Sequence, residues 1–314
     1  MSSGTPKCIF GPVPSRRLGR SLGIDLVPLK TCTYDCIYCQ LGRTTTKRVE
    51  RREYVATSAI VAELREALDS GVAPDYLTFS GSGEPTLHAG IGEVITAAKR
   101  LTTIPVAVLT NGSLLWNRDV RNALAGADLV IPSLDAGDSG LFEYVNRPHP
   151  DVTFSAMLGG LAAFREEFAK PIWLEVMLLG GVTSVEEEVR RIARLVKRMA
   201  PDRVQLNTVV RPPAEDYALR VPIEVMERLA GLFDPPAEVA ADRADAPHPF
   251  THSTCRHAVL ALLKRRPCTM QDVAAGLELH VGETVKLLES LMTEGIVIRV
   301  FQAGQYFYLP ADRD

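Results

Sequence analysis

This sequence has little with which to build a membrane span or a disulfide scaffold. No run of about 18 apolar residues occurs among its 314 positions, so no transmembrane helix is expected. Residues 1–6 lack an apolar signal core, which points to a reducing, cytoplasmic location. Cysteine is sparse: six in the whole chain, too few for a disulfide framework at this length. An excess of charge is missing too. The formal net charge is −3, which speaks neither for nor against a nucleic-acid partner. What remains is an ordinary globular composition, 46% hydrophobic and 23% charged, long enough for one large domain and a small one.

Half of the cysteines fall in one stretch. Residues 30–43, KTCTYDCIYCQLGR, hold Cys32, Cys36 and Cys39 at C-x3-C-x2-C spacing, with Tyr38 just before the last. A structural zinc site usually needs a second C-x2–4-C pair, and none exists. A redox thiol pair has no use for a third cysteine. Three thiolates on one short loop can wrap three corners of a cubane iron–sulfur cluster, leaving the fourth iron for an outside ligand.

The C-x3-C-x-aromatic-C pattern resembles the signature of the radical S-adenosylmethionine (SAM) superfamily. The resemblance implies a [4Fe–4S] cluster on Cys32, Cys36 and Cys39, with SAM chelated to the open iron. It implies one-electron cleavage of SAM to a 5′-deoxyadenosyl radical that abstracts hydrogen from a substrate. It also implies an electron donor such as flavodoxin or ferredoxin. Downstream, a strand at 76–80 runs into Gly81-Ser82-Gly83-Glu84-Pro85, similar to the family's GGE motif with Ser82 set between the glycines. In the family this backbone pairs with the SAM amino group. A glycine-rich strand end lets a ligand approach the backbone closely, and Glu84 is placed to receive an ammonium or to brace the turn. Strands at 105–109 and 128–131 end in Thr110-Asn111-Gly112 and Pro132-Ser133-Leu134-Asp135. Both resemble family strand ends that touch the SAM ribose and carboxylate. The resemblance thus marks Tyr38, Gly81, Gly83, Glu84, Thr110, Asn111, Ser133 and Asp135 as SAM contacts. The plain alternatives are a tight turn at Thr110–Gly112 and a helix cap at Asp135. His149, in Asn146-Arg147-Pro148-His149, reads as a loop histidine ahead of a proton carrier.

Helix-period and apolar strand segments alternate along the first 233 residues. Turns are expected at 11–14 and a first strand at 21–26. Helices are expected at 58–68 (with Thr57 as N-cap), 92–101, 153–168, 184–199 and 222–233, and strands at 172–179 and 203–209. Near-continuous apolar strands between helices indicate a parallel sheet covered by helices. About six such units argue for an α/β fold, a partial (β/α)6 TIM-like barrel over 1–233. Sites in such sheets gather at the C-terminal strand ends, where the motif residues fall. Glu175, inside an apolar strand, must face solvent, a partner or the barrel mouth.

Residues 234–250 are rich in Pro and Ala and read as a linker. Residues 251–314 carry helices at 253–264, 270–276 and 282–294, then strands at 296–300 and 306–309 around Ala303-Gly304, the order of a winged helix-turn-helix domain. Its third helix offers Glu283, Glu289 and Glu294 against Lys286, which argues against sequence-specific DNA. Cys8, Cys255 and Cys268 are scattered and read as small buried hydrophobes.

The first 52 residues gather Lys7, Arg16, Arg17, Arg20, Lys30, Arg43, Lys47, Arg48, Arg51 and Arg52 around the cysteine loop, against Asp25, Asp35 and Glu50. This is a solvated face or a grip for phosphate. The stretch PSRRLGRSLGIDL looks like a radical-SAM subgroup similar to wyosine-tRNA synthases. The leading substrate expectation is therefore RNA, as a tRNA base, with a peptide or protein held by the C-terminal domain as the alternative. An iron–sulfur redox sensor that binds DNA is a third reading, and the SAM motifs count against it.

Overall fold

A computed structural model describes residues 8–15, 17–240, 256–277, 279 and 281–312. Arg16, Cys255 and most of the expected linker, 241–250, lie outside the described residues, as do the side chains of Glu283 and Lys286. In chain order the elements are β1 (Ile9–Ser15), β2 (Gly19–Ile24), β3 (Thr31–Cys32), β4 (Thr46–Lys47), α1 (Thr57–Asp69), β5 (Tyr76–Phe79), a 3-10 turn (Pro85–Leu87), α2 (Ile91–Leu101), β6 (Val106–Thr110), α3 (Arg118–Leu124), β7 (Leu129–Pro132), α4 (Ser139–Asn146), α5 (Phe154–Glu167), β8 (Trp173–Leu178), α6 (Glu186–Met199), β9 (Arg203–Thr208), α7 (Ile223–Ala230) and β10 (Glu238–Val239). The C-terminal part follows as α8 (Arg256–Arg265), α9 (Met270–Gly276), α10 (Val281–Thr293), β11 (Val297–Gln302) and β12 (Gln305–Pro310).

Strands β2, β5, β6, β7, β8 and β9 lie side by side in sequence order and run parallel. Parallel bridges Val130–Ile172 and Ser133–Glu175 join β7 to β8. This is the open barrel of six strand–helix units that the alternation predicts. At one edge β1 pairs antiparallel with β2; at the other, β10 pairs parallel with β9. Glu238–Val239, expected in a linker, thus completes the sheet instead.

Side chains alternate across each strand. One set, including Leu22, Leu77, Phe79, Val108, Val130, Leu174, Val176 and Leu206, joins the large core under the helices. The opposite set faces the barrel interior. There Ala107, Leu129 and Ile131 close on Leu18, from the tip of the β1–β2 hairpin, with Trp173 against them. The hairpin therefore plugs the end of the barrel where the strands begin. Among the described residues no helix is long and apolar enough to cross a membrane.

Several local expectations are corrected. Residues 11–14 are strand rather than turn: Gly11, Pro12 and Pro14 sit in β1, an edge strand with a register shift between Phe10 and Val13, where a missing ladder N–H is tolerated. Thr57 does not cap α1; it is the first helical residue, and Glu53 accepts its backbone N–H at 2.5 Å. The short helices α3 and α4 were not anticipated. Asn117 and Asp138 cap them, accepting N–H bonds from Asp119 and Leu141.

The C-terminal part has the expected order of three helices and a hairpin, turned at Ala303 and Gly304, both at positive φ. Its core of Val259, Leu262, Leu263, Cys268, Val273, Leu288, Leu291 and Val297 includes Val13 of β1, so it packs against the barrel edge. Arg211, just past β9, also reaches Asp272 of α9 at 3.5 Å.

Candidate cofactor site

The cysteine loop runs from β3 to β4, which pair in parallel as a separate two-stranded sheet. Residues between the cysteines anchor it. Tyr34 is buried edge-on against Phe142, with ring centroids 5.4 Å apart. Ile37 is buried among Val145, Leu179, Val209 and Ala218, and its N–H donates to Val145 O at 2.9 Å. The half-buried Cys32, Cys36 and Cys39 are thereby held on one rigid arc. Two amides face the sulfurs: Asn111 Nδ2 lies 3.5 Å from Cys32 Sγ, and Asn146 Nδ2 lies 3.5 Å from Cys36 Sγ. Such donors stabilise thiolate charge on a cluster. Loss of water around it pushes the Cys32 thiol up to about 12, with the Glu84 charge adding to the effect. A bound iron deprotonates such a thiol outright. Among the described residues no three Cys, His, Asp or Glu side chains converge on a single ion. A cubane does not need them to, because each thiolate takes its own iron.

The glycine-rich strand end is bonded directly to this loop. Lys30 N donates to Ser82 O at 2.7 Å, Glu84 N donates to Thr31 O at 3.1 Å, and Thr31 bridges Gly83 in parallel. A Cβ on Gly83 would stand 1.8 Å from Thr31 O, so only glycine allows this approach. Glu84 is buried and accepts four hydrogen bonds: from Thr86 N (3.1 Å), Thr86 Oγ1 (2.6 Å), Thr110 Oγ1 (2.6 Å) and Asn111 N (2.8 Å). Burial pushes its carboxyl up, and these donors pull the other way. Of the two roles the sequence allows it, the brace fits: Glu84 ties the end of β5 to the end of β6. Asn111 then ties β6 to the loop, donating to Thr33 Oγ1 at 2.7 Å.

Asp135 makes a matching knot on the far side. It accepts from Tyr38 Oη at 2.5 Å, from Asn146 Nδ2 at 2.9 Å and from Met177 N at 2.9 Å. Asp135 is not a helix cap; that place belongs to Asp138. Burial pushes both Asp135 and Tyr38 above their ordinary ranges. Ser133 lies on the next strand end, its N–H on Thr110 O at 3.1 Å. Asn146 is the residue that sequence reasoning passed over. His149 holds the loop through its N–H to Thr33 O at 2.8 Å, while its ring faces Asp151.

Below these strand ends the interior is polar. Ser21, Thr78, Gln205 and Asn207 are buried, and Ser21 Oγ, Thr78 Oγ1, Gln205 Oε1 and Asn207 Oδ1 have no hydrogen-bond partner among the described residues. Their strand neighbours Leu22, Leu77, Phe79, Val204 and Leu206 face the helix-side core, so these four face inward. Glu175, in register with Gln205, is ion-paired with Arg17 from the hairpin. Arg17 is therefore internal rather than part of a basic face. Other cations of that segment are also engaged. Arg43 reaches Glu215 at 2.5 Å, Lys47 bonds the Arg147 and Pro148 carbonyls, and Arg51 bonds Thr86 O.

The family model for the Radical SAM superfamily matches residues 26–196, and the chain belongs to that superfamily. It is an enzyme family that uses a [4Fe–4S] cluster and SAM. Within it, a UPF0026 protein of Methanocaldococcus jannaschii is 40% identical over 72% of this chain and 70% of that protein. A Brachyspira hyodysenteriae protein named GTPase Obg is 39% identical over 93% of this chain, which spans only 43% of that longer protein. The solved structure of native anSMEcpe with bound AdoMet shares the fold, with a TM-score of 0.51 at 15% identity over 70% of this chain and 64% of that one.

Proposed function

We propose that this chain binds a [4Fe–4S] cluster through Cys32, Cys36 and Cys39, seats SAM against the ends of β5, β6 and β7, and acts on a substrate group held inside the barrel. The carrying observation is the direct bonding of the cysteine loop to those strand ends, through Lys30–Ser82, Thr31–Glu84, Asn111–Thr33 and Tyr38–Asp135. Held by Cys32, Cys36 and Cys39, such a cluster would supply the single electron needed to divide SAM into methionine and a 5′-deoxyadenosyl radical able to take hydrogen from a substrate. The protein's own part is placement. Gly81 and Gly83 let the strand end press against Asp25 and the Thr31 carbonyl, which fixes the backbone on which SAM would be seated. Glu84 and Asp135 lock the strand ends, and the two asparagine amides face the sulfurs. An electron donor of the flavodoxin or ferredoxin kind and a reducing cytoplasm suit this chemistry.

The test is anaerobic. Cluster-loaded protein with dithionite and SAM is expected to release 5′-deoxyadenosine slowly without any substrate. A loaded protein that binds SAM and yields none would overturn the reading.

The substrate end that fits the interior is uncharged and rich in hydrogen-bonding groups. Hydroxyls of Ser21 and Thr78 and the amides of Gln205 and Asn207 both give and accept, while the charges of Arg17 and Glu175 cancel. The case for RNA drew on a basic face, and of its cations Arg17 is turned inward onto Glu175, while the exposed Arg43 and Lys47 are tied to Glu215 and to main-chain carbonyls and Arg51 to Thr86 O. A peptide or small polar substrate is therefore favoured over a gripped polyanion. Buried polar groups kept without partners lower stability. Thr78→Val is accordingly expected to raise the melting midpoint of the unliganded protein by roughly 2 °C, the equivalent of about 1 kcal/mol. A lowered midpoint by calorimetry would mean that the hydroxyl serves the fold and not a ligand.

A further inference from the structure

Arg265 closes α8, in the C-terminal part, yet its guanidinium lies among barrel residues and is only 11% exposed. Its Nε donates to Asp25 Oδ2 at 2.7 Å, its Nη1 donates to Ala261 O at 2.8 Å, and its plane covers the Phe10 ring at 4.3 Å. Asp25 follows β2 and is buried. Its carboxylate accepts from Ser82 N at 2.8 Å and from Ser82 Oγ at 2.9 Å. Gly81 is pressed against the same group: at φ +128°, a Cβ there would meet Asp25 Oδ1 at 2.1 Å. Ser82 O in turn accepts from Lys30 N, at the foot of the cysteine loop.

Three links thus run from the C-terminal part to both halves of the cofactor site: Arg265 to Asp25, Asp25 to Ser82, and Ser82 to Lys30. Two features of this chain meet on one carboxylate. Ser82 is the residue interposed in the glycine motif, and Arg265 comes from outside the matched superfamily region, which ends at residue 196. A buried carboxylate needs a cation or several donors to remain charged. Arg265 supplies the cation and Ser82 the donors. Without Arg265, the group that holds Ser82 in place would tend to take up a proton, and a protonated carboxyl no longer offers both oxygens as acceptors.

We propose that Arg265 is a positioning residue for the SAM-binding strand end, so that docking of the C-terminal part on the barrel sets the affinity for SAM. This rests on the radical-SAM reading above. The rival explanation is that Arg265 only fastens the two parts together, in which case stability changes and SAM affinity does not.

The test uses the cluster-loaded 314-residue chain and SAM alone, with equilibrium SAM binding and substrate-free 5′-deoxyadenosine release as the two readouts, the dissociation constant moving with KM. Arg265→Gln is expected to raise the KM for SAM about tenfold, the equivalent of ~1.4 kcal/mol. Its kcat should stay within about twofold and its iron content should be unchanged. Arg265→Lys keeps the cation and should recover most of the affinity. Ser82→Ala removes one of the two hydrogen bonds from Ser82 to Asp25 and should move KM in the same direction by a smaller factor. If Arg265→Gln does not fold, the uncharged pair Asp25→Asn with Arg265→Gln leaves no unpaired charge and should show the same KM shift. A wild-type KM in Arg265→Gln or in the pair, alongside a lowered melting midpoint, would leave Arg265 as a fastener and sink the proposal. If wild-type protein itself neither binds nor cleaves SAM, the underlying reading fails with it, a result distinct from loss in the variants alone.

Discussion

Cys32→Ala, Cys36→Ala and Cys39→Ala are each expected to take iron from about four per chain, the content of one cubane, to near none, and to abolish 5′-deoxyadenosine release. The loop itself should survive the change. Tyr34, Ile37 and Tyr38 hold it through buried rings, a buried aliphatic side chain and main-chain bonds that do not involve the sulfurs. The apo variants should therefore stay folded by circular dichroism, which separates loss of a ligand from loss of structure. Cys8→Ala and Cys268→Ala should leave the iron count intact. Cys8 lies in the barrel core and Cys268 in the C-terminal core, and burial pushes each thiol up to about 11. What separates them from Cys32, whose thiol burial raises at least as far, is that neither has two further cysteines on its own loop. An iron count near eight that fell when Cys8, Cys255 and Cys268 were replaced would establish a second cluster.

Glu84→Ala should be the most damaging substitution outside the cysteines. It leaves the N–H groups of Thr86 and Asn111 and the hydroxyls of Thr86 and Thr110 without their acceptor around a buried position. Each orphaned donor costs roughly 1–3 kcal/mol, so a total of about 4 kcal/mol or more is expected. It would appear as a lowered urea midpoint of the apo protein. Glu84→Gln is a finer probe. Its oxygen can still serve the threonines, but its amide would point a donor at the N–H of Asn111, the residue that links β6 to the cysteine loop. Weaker SAM binding with a nearly normal urea midpoint is the expected signature. If Glu84→Ala matched wild type in both measurements, the bracing role would be wrong.

Much of this was legible because the information is local. Three cysteines on one loop carry their spacing with them, and the barrel strands announce themselves as apolar runs between helices. The unread parts depend on residues far apart in the chain. Asn146 matters because Cys36, 110 positions away, and Asp135 both come within its reach. Nothing in Asn146-Arg147-Pro148-His149 signals that. One cation of the basic segment was misread for the same reason. Arg17 reads as a surface cation until Glu175, on a strand far along the chain, is folded beside it. β1 was missed because its glycine and prolines are turn residues by habit, and only their place at a sheet edge makes them strand residues. The seven-residue α3 is too short to display a period.

The place of β1 also bears on how the chain comes off the ribosome. Val13 packs in the C-terminal core, so β1 is covered by helices that are made long after it. Until α8 and α9 emerge, the outer flank of β1 is a bare sheet edge, the kind of surface that recruits strands from neighbouring chains. Pro12 and Pro14 withhold two of its amide hydrogens over that interval. A nascent barrel so blunted can wait for its partner helices without zipping onto another copy of itself. Replacing those prolines would be felt in soluble yield more than in the finished molecule.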